Sequence, residues 1–142
     1  MIRHLASLAE IVDDVDAAVR FYRDTLGLTV QHEPGSPYAQ IELPGALHFG
    51  LWARRAAAET MFGDPAAAER VPLGFSVGFE VEAVEPARQA LAGRGGVFVQ
   101  GTRYEAWGQV TSRFLSPSGA LCEVAETPWA RAITAPMRVA PA

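Results

Sequence analysis

The chain repeats itself. SLAEIVDDVDAAVRFYRDTLGLTV, beginning at Ser7, lies over SVGFEVEAVEPARQALAGRGGVFV, beginning at Ser76, at an offset of 76 − 7 = 69 with no gap across 24 residues. Val12 falls on Val81, Asp13 on Glu82, Val15 on Val84, Asp16 on Glu85, Ala18 on Ala87, Gly27 on Gly96 and Val30 on Val99. A second echo sets PGALHF (44–49) against SGALCE (118–123) at an offset of 119 − 45 = 74. A chain of 142 residues has room for one core and not for two. Two similar modules in it must therefore each supply half of that core.

Both copies predict a strand, a helix and then further strands. In the first, Leu5 to Val12 is an apolar run, and Asp13 or Asp14 can cap a helix whose apolar positions Val15, Ala18, Val19 and Tyr22 have helical spacing. Gly27 ends it. In the second, Val84 to Leu91 repeats the pattern, with Pro86 near the first turn and Gly93 just past the end. LTVQHE, YAQIEL and ALHFGLWA in one half, and VFVQGTRYE, VTSRFLS and ALCEVAE in the other, read as strands and hairpins. The modules span residues 3–53 and 71–126, and the whole of 1–142 is a single domain. The alanine-rich connector 54–70, interrupted at Gly63-Asp64-Pro65, predicts one or two short helices; around Met61-Phe62 it suits a lid or a dimer surface. The tail, 127–142, is expected to wrap the surface or fray.

Charge narrows the function classes. A net charge of −4 with no run of like charges offers no basic patch to nucleic acid or an anionic membrane surface. All 12 basic residues are arginine, which removes lysine Schiff-base and P-loop lysine chemistry. The single cysteine, Cys122, cannot form an internal disulfide, and the N-terminus lacks the basic start and long apolar segment of a signal peptide, so a cytoplasmic protein is expected. No apolar run approaches the roughly 18 to 20 residues of a membrane helix.

DDVDAAVRFYRDTLGL and WGQVTSRFLSPSGALCEV, in this order and with the repeat, resemble the signatures of the vicinal oxygen chelate superfamily, which includes glyoxalases, extradiol dioxygenases, fosfomycin-resistance and bleomycin-resistance proteins. The resemblance covers about residues 3 to 126 and departs from the usual acidic turn at Ser116-Pro117-Ser118-Gly119. It implies an α+β fold: two tandem βαβββ modules forming a strongly curved, eight-stranded incomplete barrel, with helices on the convex face and a ligand cavity inside. It also implies a homodimer.

Enzymes of that superfamily hold a divalent metal with side chains from equivalent strands, a His typically starting each half and a carboxylate closing the site. Their pattern places Ser7 and Ser76 at the histidine positions, Glu123 at the closing carboxylate and Phe49 at its first-module equivalent. Serine hydroxyls are poor ligands for such metals and phenylalanine is none, so no metal and no other cofactor is expected. If the strands are regular, His4 and His48 point away from the cavity by alternation, and a bulge would reverse that. His32 reads as a surface residue, and Cys122 as a small hydrophobe packed under a helix.

Without a metal, Glu123 needs a hydroxyl from Ser7 or Ser76, an arginine such as Arg113, or a proton. The bland reading makes it a strand-orienting hydrogen-bond acceptor. Phe49, Trp52, Phe98, Tyr104, Trp107 and Phe114 lie on or beside the cavity-forming strands, with Tyr38 and Trp52 suited to closing the mouth. Such rings can stack on a planar molecule. The leading expectation is a metal-independent protein sequestering a bulky aromatic natural product or antibiotic, through Ser7, Phe49, Trp52, Ser76, Tyr104, Trp107, Arg113 and Glu123. Its first alternative is a metal-independent isomerase, cyclase or lyase with Glu123 as general base. The second is a metal-dependent glyoxalase or dioxygenase whose register brings His4 or His48 inward.

Overall fold

The computed structural model describes residues 1–129. β1 (Ile2–Val12) leads to Asp14, whose carboxylate accepts from the Ala17 amide at 3.0 Å and starts α1 (Val15–Arg20). The helix widens into a π-helical turn at Phe21–Thr25 and stops at Gly27, where φ is 72°. β2 (Thr29–Gln31), β3 (Tyr38–Glu42) and β4 (Phe49–Ala53) complete the first module. α2 (Arg54–Phe62) ends on left-handed Gly63, and Asp64 caps a 3-10 turn over Pro65–Arg70, so the connector holds two short helical pieces. β5 (Gly74–Val81), α3 (Val84–Gly93), β6 (Val97–Tyr104), β7 (Val110–Leu115) and β8 (Leu121–Glu126) follow. The Glu126 carboxylate accepts from the Val84 amide at 2.9 Å, so the last strand caps the helix of its own module.

The strands form one open eight-stranded sheet in the order β2-β3-β4-β1-β5-β8-β7-β6. Each half has its first strand parallel to its last, β1 to β4 and β5 to β8, and the halves meet where β1 and β5 run antiparallel. This is the curved, mixed sheet of an α+β fold that the repeat and the resemblance imply.

Alternation along the strands divides the apolar residues between two faces. On the convex side, Val15 and Val19 of α1 and Tyr22 of the π-helical turn pack on Ile41, Phe49 and Leu51, while Val84 and Ala87 of α3 pack on Val81 and Val124 with Phe98 and Phe114 beside them. Phe98 and Phe114 are therefore core side chains under a helix and not cavity walls. On the concave side, Ile11 meets Ala57, Ala58 and Met61 of α2 together with Val71 and Leu121. Met61 is only 5% exposed, packed with Ile11, Val71 and Leu121 at one end of the sheet. Thr127 is tied down through its amide, which donates to Glu80 Oε1 at 2.9 Å. From residue 130 onward, the expectation for the tail lies outside the described residues. Among those described, no helix is long and apolar enough to cross a membrane.

Candidate functional site

The concave face beyond α2 encloses a cavity of about 710 Å³ bordered by both modules. Ser7 of β1 and Ser76 of β5 lie on its floor, Trp52 of β4 and Glu123 of β8 on its sides, and Trp107 and Trp129 at its rim. Trp107 is presented by the β6–β7 hairpin turn, closed by the Gly108 amide donating to the Glu105 carbonyl at 3.0 Å, with Gly108 at φ 94°. Its Nε1–H donates to Gln109 Oε1 at 2.8 Å, which steadies the ring.

Glu123 answers to Arg113. These residues face each other across β7 and β8, and Arg113 Nη2 lies 2.8 Å from Glu123 Oε2. The same guanidinium donates through Nη1 to Glu105 Oε1 at 3.0 Å and Gln100 Oε1 at 2.6 Å. Thr111 Oγ1 donates to Glu105 at 2.8 Å, completing a network in which the Arg113 and Glu105 side chains are each 3% exposed. Burial pushes the Glu123 carboxyl above the ordinary carboxylate range; Arg113 opposes the rise, while the charges of Glu105 and Glu80 add to it. Arg113 thus reaches both buried acids, with Arg103 a second cation 3.6 Å from Glu105 Oε2 and the Trp52 ring face 5.5 Å from the Arg113 guanidinium carbon. Ser76 Oγ donates to the Ala9 carbonyl at 3.2 Å instead of to Glu123. A Cβ on Gly78 would stand 2.5 Å from Ser7 Oγ and 3.4 Å from Glu123 Oε1, so the glycine leaves room there for both side chains.

The first-module counterpart of Glu123 is Gly50, one residue on from Phe49. Leu8 pairs with Phe49 and Ala9 with Gly50, whereas Val77 pairs with Cys122 and Gly78 with Glu123. The structural offset is therefore 123 − 50 = 73, one less than the 74 of the PGALHF echo. A one-residue slip exchanges the two faces of a strand. Phe49 turns outward beneath α1, edge-on to Tyr22 with centroids 5.6 Å apart, and is no part of the cavity wall. His48 turns inward and borders the cavity, contrary to the alternation argument; His4 does not border it. The His48 ring lies parallel to that of Tyr38, with Nε2 hydrogen-bonded to the phenol.

Of the residues singled out from sequence, Ser7, Trp52, Ser76, Trp107, Arg113 and Glu123 border the cavity. Tyr104 does not: its side chain ends β6 in solvent and the residue is 83% exposed. Tyr38 lies on the wall with Trp52. His32 is not a surface ring either; its side chain is 6% exposed between Asp16, at 3.3 Å, and the Ser36 carbonyl. Cys122 is partly buried, and burial raises its thiol pKa. Sequence reasoning missed Glu105, Gln100 and the Tyr38–His48 pair. The acid in YEAWGQ sits in a turn where strand alternation carries no information.

A family model described as the glyoxalase/bleomycin resistance protein/dioxygenase superfamily matches residues 4–124. The chain belongs to that superfamily. Solved structures agree on the fold. An NAD-dependent benzaldehyde dehydrogenase from Legionella pneumophila matches with TM-score 0.60 and 16% identity, covering 84% of this chain and 96% of its own. A superfamily member from Vibrio splendidus 12B01 matches at 0.57 and 18%, covering 89% and 100%. Methylmalonyl-CoA epimerase from Mycobacterium tuberculosis matches at 0.60 and 20%, covering 92% and 93%. No curated protein is significantly similar in sequence.

The superfamily resemblance implies a divalent metal, and the donors at the equivalent positions do not fit one. Those positions hold Ser7, Gly50, Ser76 and Glu123, and among the described residues no three His, Cys, Asp or Glu side chains converge as a metal site requires. The one carboxylate is already paired with a guanidinium. A hard or borderline dication would have to displace that cation and find its remaining ligands among hydroxyls.

Proposed function

We propose that this protein binds and sequesters a bulky, largely planar aromatic molecule, of the natural-product or antibiotic kind, in the concave cavity without a metal ion. One observation carries the reading: Arg113, an internal cation, neutralises Glu123 at the place where a metal would otherwise be needed. The cavity volume of about 710 Å³ suits a drug-sized ligand, and Trp52, Trp107 and Trp129 supply flat apolar area around the few convergent polar groups. Ser7, Ser76, Arg113 and Glu123 are the polar contacts on this reading.

A second reading draws on the raised Glu123 carboxyl: a buried acid in a ligand cavity is suited to take a proton from carbon or oxygen, as in metal-independent isomerase, cyclase or lyase chemistry. A homodimer is part of the proposal. It is supported by Phe21 and Phe75, on or next to the convex side of the first module, which remain 49% and 50% exposed.

The test is a thermal-shift screen of chelator-treated protein against divalent metals and aromatic natural products, since a ligand that binds only the folded state raises its stability. Stabilisation by aromatic compounds, with the compound recovered unchanged, supports sequestration. Conversion of the compound, abolished in Glu123→Gln with binding retained, would favour the enzyme. Stabilisation by metals alone, with near-stoichiometric Zn, Fe, Mn or Ni in untreated protein, would refute both.

A further inference from the structure

The place that Glu123 takes in the second module is filled in the first from a neighbouring strand. Gly50 has no side chain, and the Tyr38 phenol leans over from β3 into the space; a Cβ on Gly50 would stand 2.7 and 2.8 Å from its ring carbons. The His48 ring lies parallel to it, centroids 5.9 Å apart and planes 5° from each other, with Nε2 hydrogen-bonded to the phenol oxygen. The backbone is held there as well, because the Leu8 amide donates to the His48 carbonyl at 3.0 Å. Both side chains border the cavity.

Burial keeps the imidazole below its ordinary pKa, and burial pushes the phenol up to about 12. Near neutral pH the pair is therefore an uncharged phenol on an uncharged imidazole. It is also amphoteric: either the O–H donates to bare Nε2, leaving phenol lone pairs free to accept, or Nε2–H donates to the oxygen, leaving the O–H free to donate. Such a pair suits a neutral oxygen function and has no charge to offer an ion. The opposite wall is ionic, through Arg113 and Glu123. Between the two anchors lie β1 and β5, so β4 and β8 are about 14 Å apart along the sheet, less what curvature and inward-reaching side chains remove.

We propose that Tyr38 and His48 form a second, uncharged polar anchor in the cavity, selecting aromatic ligands that carry a hydroxyl or carbonyl oxygen at the end remote from Glu123 and Arg113. This rests on the small-molecule-binding reading above, and a matched pair of probes separates the two. Naphthalene-2,6-diol has an oxygen at each end; 2-naphthol has one. In calorimetric titrations the intact chain should bind the diol about tenfold more tightly, a statistical factor of about two times about fivefold for one hydrogen bond. Tyr38→Phe should cut that preference to about twofold, which is the diol's statistical advantage. His48→Gln removes the partner and keeps the phenol, so it should also shrink the preference and provides the same reading should Tyr38→Phe fail to fold. Equal binding of both probes by the wild type, or a full preference surviving in a folded Tyr38→Phe variant, overturns the anchor and leaves the binding reading standing. Failure of the wild type to bind either probe counts against both.

Discussion

Replacing Arg113 by methionine isolates the internal cation. The change keeps a long apolar stem and removes a guanidinium that is 3% exposed and shared by Glu105 and Glu123. Removing one partner of a buried ion pair typically costs about 3–5 kcal/mol; here Glu123 is left without compensation, while Glu105 keeps only Arg103 at 3.6 Å. That is a large part of the roughly 5–15 kcal/mol that holds a domain folded. At about 3 °C per kcal/mol for a chain of this size, Tm should fall by roughly 9–15 °C near neutral pH. The loss should depend on pH. Glu123 keeps its proton to higher pH in the folded protein than in the unfolded chain, so its contribution to stability is fully present below the unfolded carboxylate value and is lost as pH rises through the raised folded value. Arg113 opposes that rise, so its removal should enlarge the effect. The variant should lose more stability between about pH 5 and about pH 8 than the wild type does. Urea denaturation at both pH values measures this, and adding Glu105→Gln and Glu123→Gln to the variant should recover a good part of the loss. A Tm change below about 3 °C, or one of the same size at both pH values, would refute the reasoning.

Gly50→Ala should destabilise by about 1–3 kcal/mol as its Cβ meets the Tyr38 ring, and adding Tyr38→Ala should relieve part of that in a denaturant double-mutant cycle. Phe49→Ala should cost about 3–5 kcal/mol, as a core truncation beneath α1, and leave the cavity walls in place, which melting and ligand titration together resolve. Tyr104→Ala should leave stability within about 0.5 kcal/mol of the wild type and ligand affinity unchanged. Asp14→Ala should remove the α1 cap at a cost of about 1 kcal/mol, read from the urea midpoint.

The repeat at an offset of 69 made the fold legible, since hydrophobic and acidic positions of two helices and their leading strands coincide in it. Asp14 and Gly27 marked the first helix by capping chemistry that acts locally, and local chemistry is what a sequence displays. The site was harder to read where it depends on register. The echo of PGALHF in SGALCE aligns turns, whereas β4 pairs with β1 one residue out of step with that echo, and this exchanged Phe49 for Gly50 and brought His48 inward. The apolar ring went to the apolar side under α1, a preference that a turn comparison does not contain. Arg113 stood beside Ser7, Ser76 and a proton among the ways to satisfy Glu123, and the register of β7 with β8 brings the two face to face. Glu105 was not legible, since its carboxylate enters the network from a turn, and Tyr38 fills the gap at Gly50 only through a diagonal approach from the adjacent strand.

On the proposed reading, a guanidinium stands in for a metal at Glu123. Crystals grown in turn with Mn, Ni and Zn salts, each followed by anomalous scattering at the metal's absorption edge, test it most directly. The expected result is no anomalous peak within bonding distance of Glu123, with Arg113 still seated against both carboxylates. A peak bonded to Glu123, with the guanidinium swung aside, would contradict it.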